Sequence, residues 1–442
     1  MHWVASARVA GSGAGRGPPG SGVRPGITGA TGPRHAHTFG EVTSVVIRDP
    51  VHGDIELTSL ETRVLDCRPV QRLRGIRQLG AAHLVYPGCN HTRFEHALGT
   101  LAVAKRVLAA LAARGAPVAD HQRAVAVAAL LHDVGFVPYG HFLEDVQGLL
   151  PRHDTGERMG EAIAGEVATV LGSELTHDVL SIFTGTAPSW ARSVVSGIID
   201  ADLLDYLRRD AYYAGLPHNY DDRIYRYLTV AGGLLMVETA REGMFRPDAI
   251  SELVNLLRLR YYLTERVYYH HAKLAAEAML GKALETAVDD GFALLRLLEL
   301  TDAGLAAELS LTRAAGLVEA VNRRQLFKRA YVLTGRTVPA GQRQELFRQF
   351  RQPGQRRETE RLLGGEDVAI TCLPPTLMKE AGFPLSSGET LSRELPLDIG
   401  ALADSYGSLW RLYVFAPAGQ AVRVGEAAVE YFGRPSEHRR PS

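Results

Sequence analysis

Lysine is scarce in this 442-residue chain: only five of its 49 basic residues are lysine (Lys105, Lys273, Lys282, Lys328 and Lys379), the rest being arginine. With the excess of Ala and Gly, this reads as the codon usage of a GC-rich genome and carries no functional signal. Cysteine is scarcer still: Cys67, Cys89 and Cys372 are the only three, and no two stand close together. A disulfide framework and a zinc ribbon are excluded, and a reducing, cytoplasmic compartment fits. No apolar run approaches the ~20 residues of a membrane span, so no membrane partner is expected. Net charge is absent too. The 49 basic residues are matched by 49 acidic ones, which excludes a chain-wide polyanion binder and speaks against nucleic acid as the main partner, while local basic pockets stay open. Residues 1–40 contain no acid at all, and Gly11 to Arg34 hold nine Gly and four Pro. Such a stretch cannot bury enough apolar surface to offset its ordering entropy, and it has no apolar h-region. It reads as a disordered tail and not as a secretory signal. The rest is well supplied for folding: 46% apolar and 22% charged residues suit a globular core, and the length suits two or three domains.

From Val42 the texture changes. Val45 to Ile47 and Ile55 to Leu57 read as two short strands around a turn, Asp49-Pro50-Val51-His52-Gly53-Asp54. Helical periodicity then dominates. The spacing predicts helices over Pro69–Leu79, His96–Arg114, His121–Val134, Glu157–Leu171, Ala191–Tyr213 and Ala249–Ala287. Residues 291–365 read as a bland helical extension, with an Arg- and Gln-rich solvated stretch from Gln342 to Arg361. Val368–Leu373, Trp410–Phe415 and Ala421–Val424 read as strands of a small α+β lobe over 366–435, and 436–442 as a polar tail.

The chemistry concentrates in four places. His132-Asp133 closes an apolar helical run and is followed at once by Gly135, Pro138, Gly140 and then His141. Burying two ionisable groups is costly unless they pair or bind a metal. A lone His-Asp is most often a hydrogen-bonded core pair, but here it stands at a helix end beside a loop. Upstream, Arg93 and His96 are three apart and share a helical face. Downstream, Asp200, Asp202 and Asp205 punctuate an apolar stretch, with Tyr206 on the face of Asp202 and Asp205. Two imidazoles and two carboxylates suit a divalent metal such as Mn, Fe, Zn, Ni or Mg, and an ion with open positions turns water into a nucleophile.

The pattern His96…His132-Asp133…Asp202 resembles the HD-domain phosphohydrolase superfamily. Ile47–Leu57 (IRDPVHGDIEL), Gln71–Gly80 (QRLRGIRQLG), Tyr86–Gly99 (YPGCNHTRFEHALG) and Asp200–Asp210 (DADLLDYLRRD) resemble the SAM-and-HD-domain dNTP triphosphohydrolases and their bacterial relatives, over about residues 44–285. The resemblance implies a mostly α fold: a helical HD core over 41–290 with a short N-terminal β-hairpin and a small α+β C-terminal lobe. It implies His96, His132, Asp133 and Asp202 as ligands of a divalent metal. It implies Arg93 at a phosphate, His141 and His153 as catalytic histidines, and Glu144 as the acid that polarises the catalytic histidine. It implies Gln78, Leu79, Tyr206, Asp210 and Tyr268 around the nucleoside, Leu79 crowding a 2′-hydroxyl, and Arg260 on the terminal phosphate. Asp66, Gln71 and Arg74 match a regulatory nucleotide site, and a homo-oligomer, dimer or tetramer, is implied. The chain departs from the pattern at two places: Phe136-Val137 stands where His-Gly is usual, and Leu203 where a lysine contacts phosphate. The expected activity is hydrolysis of dNTPs to deoxynucleoside and triphosphate. The alternatives are a phosphatase removing phosphates stepwise from another nucleotide, and a non-catalytic nucleotide sensor or single-strand binder.

Overall fold

The computed structural model describes residues 45–375 and 378–438. The Gly/Pro-rich stretch 1–40 and the last four residues of the tail lie outside the described residues. Val45–Asp49 and Gly53–Leu57 pair antiparallel, with Val45 opposite Leu57 and Asp49 opposite Gly53. The turn is held locally: the Asp49 carboxylate accepts from the backbone N–H of Val51 and His52 at 2.9 and 2.8 Å, the Asx geometry that short polar side chains offer a turn.

Three helices build the centre of the HD region. Arg93–Ala113 starts at a capping box in which Thr92 and Glu95 satisfy each other's backbone groups. It packs on Gln122–Leu131 and on Ala201–Tyr213. Leu101, Leu108, Leu130, Leu131, Leu204 and Leu207 are fully buried between them, each stabilising by about 1.5–3 kcal/mol. Arg93–Ala113 and Ala201–Tyr213 meet at Gly99, where a Cβ would stand 1.9 Å from Asp205 Oδ1. Only glycine permits that approach. By length and composition Arg93–Ala113 is also apolar enough to cross a membrane, against the expectation that no segment would be; 67% of its most apolar window is buried in the protein core.

Several predicted helices are broken by local chemistry. Pro69–Leu79 becomes Arg68–Arg72 and a single 3₁₀ turn, Leu73–Gly75, before the chain extends. Glu157–Leu171 divides at Gly165, whose φ of +84° ends the first helix. Ala191–Tyr213 divides because Asp200 caps a new helix, accepting from Leu203 N–H at 2.7 Å. Ala249–Ala287 is Pro247–Leu263 and His271–Asp289 joined by a π-turn, Thr264–Tyr268, which points Tyr268 into the cavity described below.

The C-terminal lobe holds a second core around a three-stranded antiparallel sheet, with Arg411–Ala416 between Lys328–Thr334 and Ala369–Cys372. Two expectations are corrected here. Lys328–Thr334 is a strand inside the stretch expected to be helical, so the division expected at 365/366 runs through one sheet. Ala421–Val424 is the first turn of a helix, Ala421–Phe432: Ala421, Val424, Gly425 and Ala428 are buried at three- and four-residue spacing, the helical period and not the strand period.

Candidate active site

The four expected ligands meet where the three central helices converge. His96 Nε2 lies 3.1 Å from His132 Nε2, 3.0 Å from Asp202 Oδ1 and 3.9 Å from Asp133 Oδ2. His132 Nε2 lies 3.6 Å from Asp133 Oδ2 and 3.9 Å from Asp202 Oδ1. Ligands about 2.1 Å from one ion stand about 3.0 Å apart at right angles and about 3.4 Å apart at tetrahedral angles. The donor set therefore fits a divalent ion in size and in chemistry, and His96, His132 and Asp133 lie close enough together to hold one.

Both imidazoles are oriented from behind. His132 Nδ1 is 2.9 Å from the Ala129 carbonyl, and His96 Nδ1 is 2.7 Å from Asp205 Oδ2. Each contact commits the Nδ1 proton and turns the Nε2 lone pair inward. Asp205 was seen in the sequence only as an acid on the Asp202 face. In the structure it is fully buried and anchors a network: His52 Nε2 lies 2.6 Å from its Oδ1, and Arg209 donates to both oxygens at 2.9 and 3.0 Å. Arg209 also donates to Asp49 at 2.9 Å. The hairpin turn thus reaches His96 through two residues, Arg209 and Asp205.

Charge follows this geometry. Burial would lower the His96 imidazole, but hydrogen bonds to Asp202 and Asp205 outweigh it and raise it to about 10. Burial would raise Asp133, but Arg93 and the surrounding imidazoles hold it well below the usual carboxylate range. Asp202 resists burial in the same way, through His96 and His132, and falls to about 2.

Arg93 donates to Asp133 Oδ2 at 2.6 Å and to the Gln78 carbonyl at 3.2 Å. Its guanidinium lies 3.4 Å from the centre of the Phe136 ring. That ring also touches His153 and His141, with centroids 4.3 and 4.9 Å away. Gly140 makes room for it, since a Cβ there would approach the ring to 2.6 Å. The carboxylate pairing differs from expectation. Glu144, fully buried, faces His153 Nδ1 at 2.8 Å, whereas His141 faces Asp145, one helical turn on, at 3.6 Å. Although the His141 side chain is 53% exposed to the cavity, desolvation holds its pKa below the ordinary imidazole value.

Three of the four expected ligands, His132, Asp133 and Asp202, border a cavity of about 510 Å³ together with His141 and His153, and Gln78, Leu79, Tyr206, Asp210, Arg260 and Tyr268 also line it; His96 lies fully buried behind them. Tyr268 donates to Asp210 at 2.6 Å, and His91 Nε2 holds the other Asp210 oxygen at 2.8 Å. Arg260 is brought to the cavity but forms an ion pair with buried Glu380. Asp66, Gln71 and Arg74 lie away from this cavity. Arg74 donates to Gln71 and stacks on Phe94, and Asp66 is exposed.

Family models match the chain as an HD domain over residues 93–209 and as an HD-associated region over residues 248–441. The chain is 31% identical over 296 residues to an uncharacterised protein of Methanocaldococcus jannaschii, covering 64% of this chain and 58% of that one. It is 31% identical over 256 residues to an uncharacterised protein, YwfO, of Bacillus subtilis, covering 56% and 57%. It is 26% identical over 365 residues to the human deoxynucleoside triphosphate triphosphohydrolase SAMHD1, covering 68% and 56%. The chain thus spans little more than half the length of these relatives. A crystal structure of a phosphohydrolase from Bacteroides thetaiotaomicron superposes with a TM-score of 0.63 over 84% of this chain and 99% of that one, at 24% identity. A hypothetical protein from Aquifex aeolicus gives 0.67 over 87% and 100%, also at 24% identity; both share the fold. The match to the HD domain supports a metal-dependent hydrolase. With the His-Asp cluster seated inside the matched segment, the chain carries an HD domain followed by an HD-associated region.

Proposed function

We propose that the chain is a nucleotide phosphohydrolase that converts deoxynucleoside triphosphates to deoxynucleoside and triphosphate. The observation that carries this reading is the convergence of His96, His132, Asp133 and Asp202, the last three of them lining one cavity with His141 and His153. A divalent ion held by the four would neutralise phosphate charge and ease deprotonation of the attacking water. The chain's own groups do the rest. Arg93, clamped between Asp133 and the Gln78 carbonyl, keeps a buried Nε–H without a partner among the described residues and offers it to a phosphate oxygen. Glu144 fixes the proton of His153 on Nδ1. His141, with Asp145 behind it, gives a proton to the leaving oxygen. Tyr268 and Asp210, already hydrogen-bonded to each other, receive the sugar, and Leu79 crowds a 2′-hydroxyl. A cytoplasmic homo-oligomer, with Asp66, Gln71 and Arg74 reading a regulatory nucleotide, belongs to the same proposal.

The Arg260–Glu380 pair favours a second reading. A terminal phosphate would have to compete with a buried carboxylate for that guanidinium, and Phe136 and Leu203 offer no charge in compensation. Stepwise removal of single phosphates is the outcome this reading expects. Product chromatography after incubation with Mn²⁺ and each dNTP, with and without GTP, separates the two. Deoxynucleoside plus intact triphosphate, absent in Asp133→Ala, supports the first. Diphosphate, monophosphate and orthophosphate in succession support the second, and no turnover with metal bound refutes both.

A further inference from the structure

The cations that line the cavity are mostly spoken for. Arg93 faces Asp133, Arg152 faces Asp145 and Asp154, Arg260 faces Glu380, and Lys273 faces Glu277. Arg77 faces Asp302. Two remain. Arg192 and Lys379 line the same cavity and form no ion pair among the described residues. Lys379 comes from the C-terminal region and crosses to the HD domain, where its Nζ donates to the Gly197 carbonyl at 3.3 Å. That carbonyl precedes the helix Ala201–Tyr213, whose first turn presents Leu203 to the cavity. Lys379 is also the chain neighbour of Glu380, the partner of Arg260. Its ammonium therefore stands on the wall of the cavity that positions 203 and 260 also line, the two positions from which the cavity lacks free charge. Arg192, on the short helix Ser189–Val195, lines the same cavity with its guanidinium beside Gly185. Lys379 also favours the charged form of the buried Asp200 carboxylate on the same wall, but neither cation is held in an ion pair, and an ammonium and a guanidinium so placed are a site for a multiply charged anion.

We propose that Lys379 and Arg192 bind the phosphates distal to the scissile one, so that the C-terminal region supplies the clamp that Leu203 and the neutralised Arg260 do not. The inference rests on the nucleotide reading for its substrate but not for its ligand class, which is a polyphosphate chain. Each cation would contribute a charge-assisted contact, and its loss should weaken binding about tenfold or more.

Inorganic tripolyphosphate is the probe, titrated calorimetrically into the full metal-loaded chain. Wild type should bind, Lys379→Ala and Arg192→Ala should each lose about tenfold, and an exposed control, Arg241→Ala, should be unchanged. Lys379→Ala combined with Leu203→Lys should recover affinity, because it returns an ammonium to the same end of the cavity. In turnover, Lys379→Ala should raise KM for a nucleoside triphosphate about tenfold or more. Wild-type tripolyphosphate affinity in the Lys379→Ala, Arg192→Ala double variant overturns the proposal, whatever the enzyme hydrolyses. Tripolyphosphate binding that depends on both residues, in a chain that hydrolyses no nucleotide, sinks the proposed activity and sustains the clamp.

Discussion

Replacing Asp205 by Asn keeps the shape of a side chain that touches no substrate, and it should still disable the metal centre. The wild-type carboxylate holds His96 Nδ1 at 2.7 Å, His52 at 2.6 Å and Arg209 twice, at 2.9 and 3.0 Å. Asn removes the charge and offers one acceptor where there were two. Loss of such an orienting partner costs about 10–100-fold in metal affinity, about 1.4–2.8 kcal/mol. Arg209 keeps Asp49, so the loss of folding stability should stay near the low end of the ~3–5 kcal/mol for breaking a buried pair and leave a folded protein. The proton inventory gives a second readout. In the metal-free protein the His96 pKa is raised from 6.5 to about 10, so at pH 7 an ion must displace a proton. Apparent affinity should climb about tenfold per pH unit until the pH approaches that pKa, and in Asp205→Asn it should level off earlier. The same shift makes His96 a source of stability in the metal-free chain that is fully present below pH 6.5 and lost as pH rises through about 10. Calorimetric titration with Mn²⁺ at several pH values, beside thermal denaturation, measures all three. A folded variant that binds Mn²⁺ within twofold of wild type, with the same pH slope, refutes the reasoning.

Glu144→Gln should leave metal affinity intact and reduce turnover about tenfold or more, because only His153 loses its partner; steady-state kinetics with a metal titration checks it. Asp302 is buried and lifted by desolvation to about 6, so the stability it contributes is present below the ordinary carboxyl pKa and lost as pH rises through about 6. Asp302→Asn should therefore gain about 2–3 kcal/mol on wild type between pH 4 and pH 8, read from urea midpoints. Leu131→Ala, at a fully buried position in the central helices, should cost about 2–5 kcal/mol by the same assay. Stripping metal with a chelator should lower Tm, by the equivalent of about 2.7 kcal/mol when the free ion stood at a hundredfold its Kd.

The convergent quartet proposed to hold a metal was legible because its signals are local: His132-Asp133 ends an apolar helix, and the acids of Asp200–Asp205 interrupt another. Its supporting shell was not. Asp205 and His52 are 153 positions apart, and nothing in the turn Asp49–Asp54 announces a role beyond turning. Asp145, a closer partner for His141 than Glu144, was hidden by a one-residue ambiguity that only the backbone resolves. Lys328–Thr334 carried a usable strand signal in Tyr331-Val332-Leu333-Thr334, masked by its Arg- and Gln-rich surroundings. Ala421–Val424 shows the reverse error: four residues of alternating character do not fix a period, and the buried set continues to Ala428 at helical spacing.

The four convergent donors all lie within 93–209, whereas Tyr268, Arg260, Glu380 and Lys379 arrive from the stretch that follows. In the proposed reading the metal ligands and histidines therefore stand on the first length alone, whereas the recognition groups are shared, Leu79, Arg192, Tyr206 and Asp210 coming from the upstream part of the chain and Arg260, Tyr268 and Lys379 from the downstream part. Substitutions in the second length can retune which anion the cavity accepts without moving a ligand atom, and the first length alone lacks the part of the cavity wall that Arg260, Tyr268 and Lys379 supply. Swapping the downstream region between relatives, with the upstream helices held constant, is thus the economical route to new selectivity in this architecture.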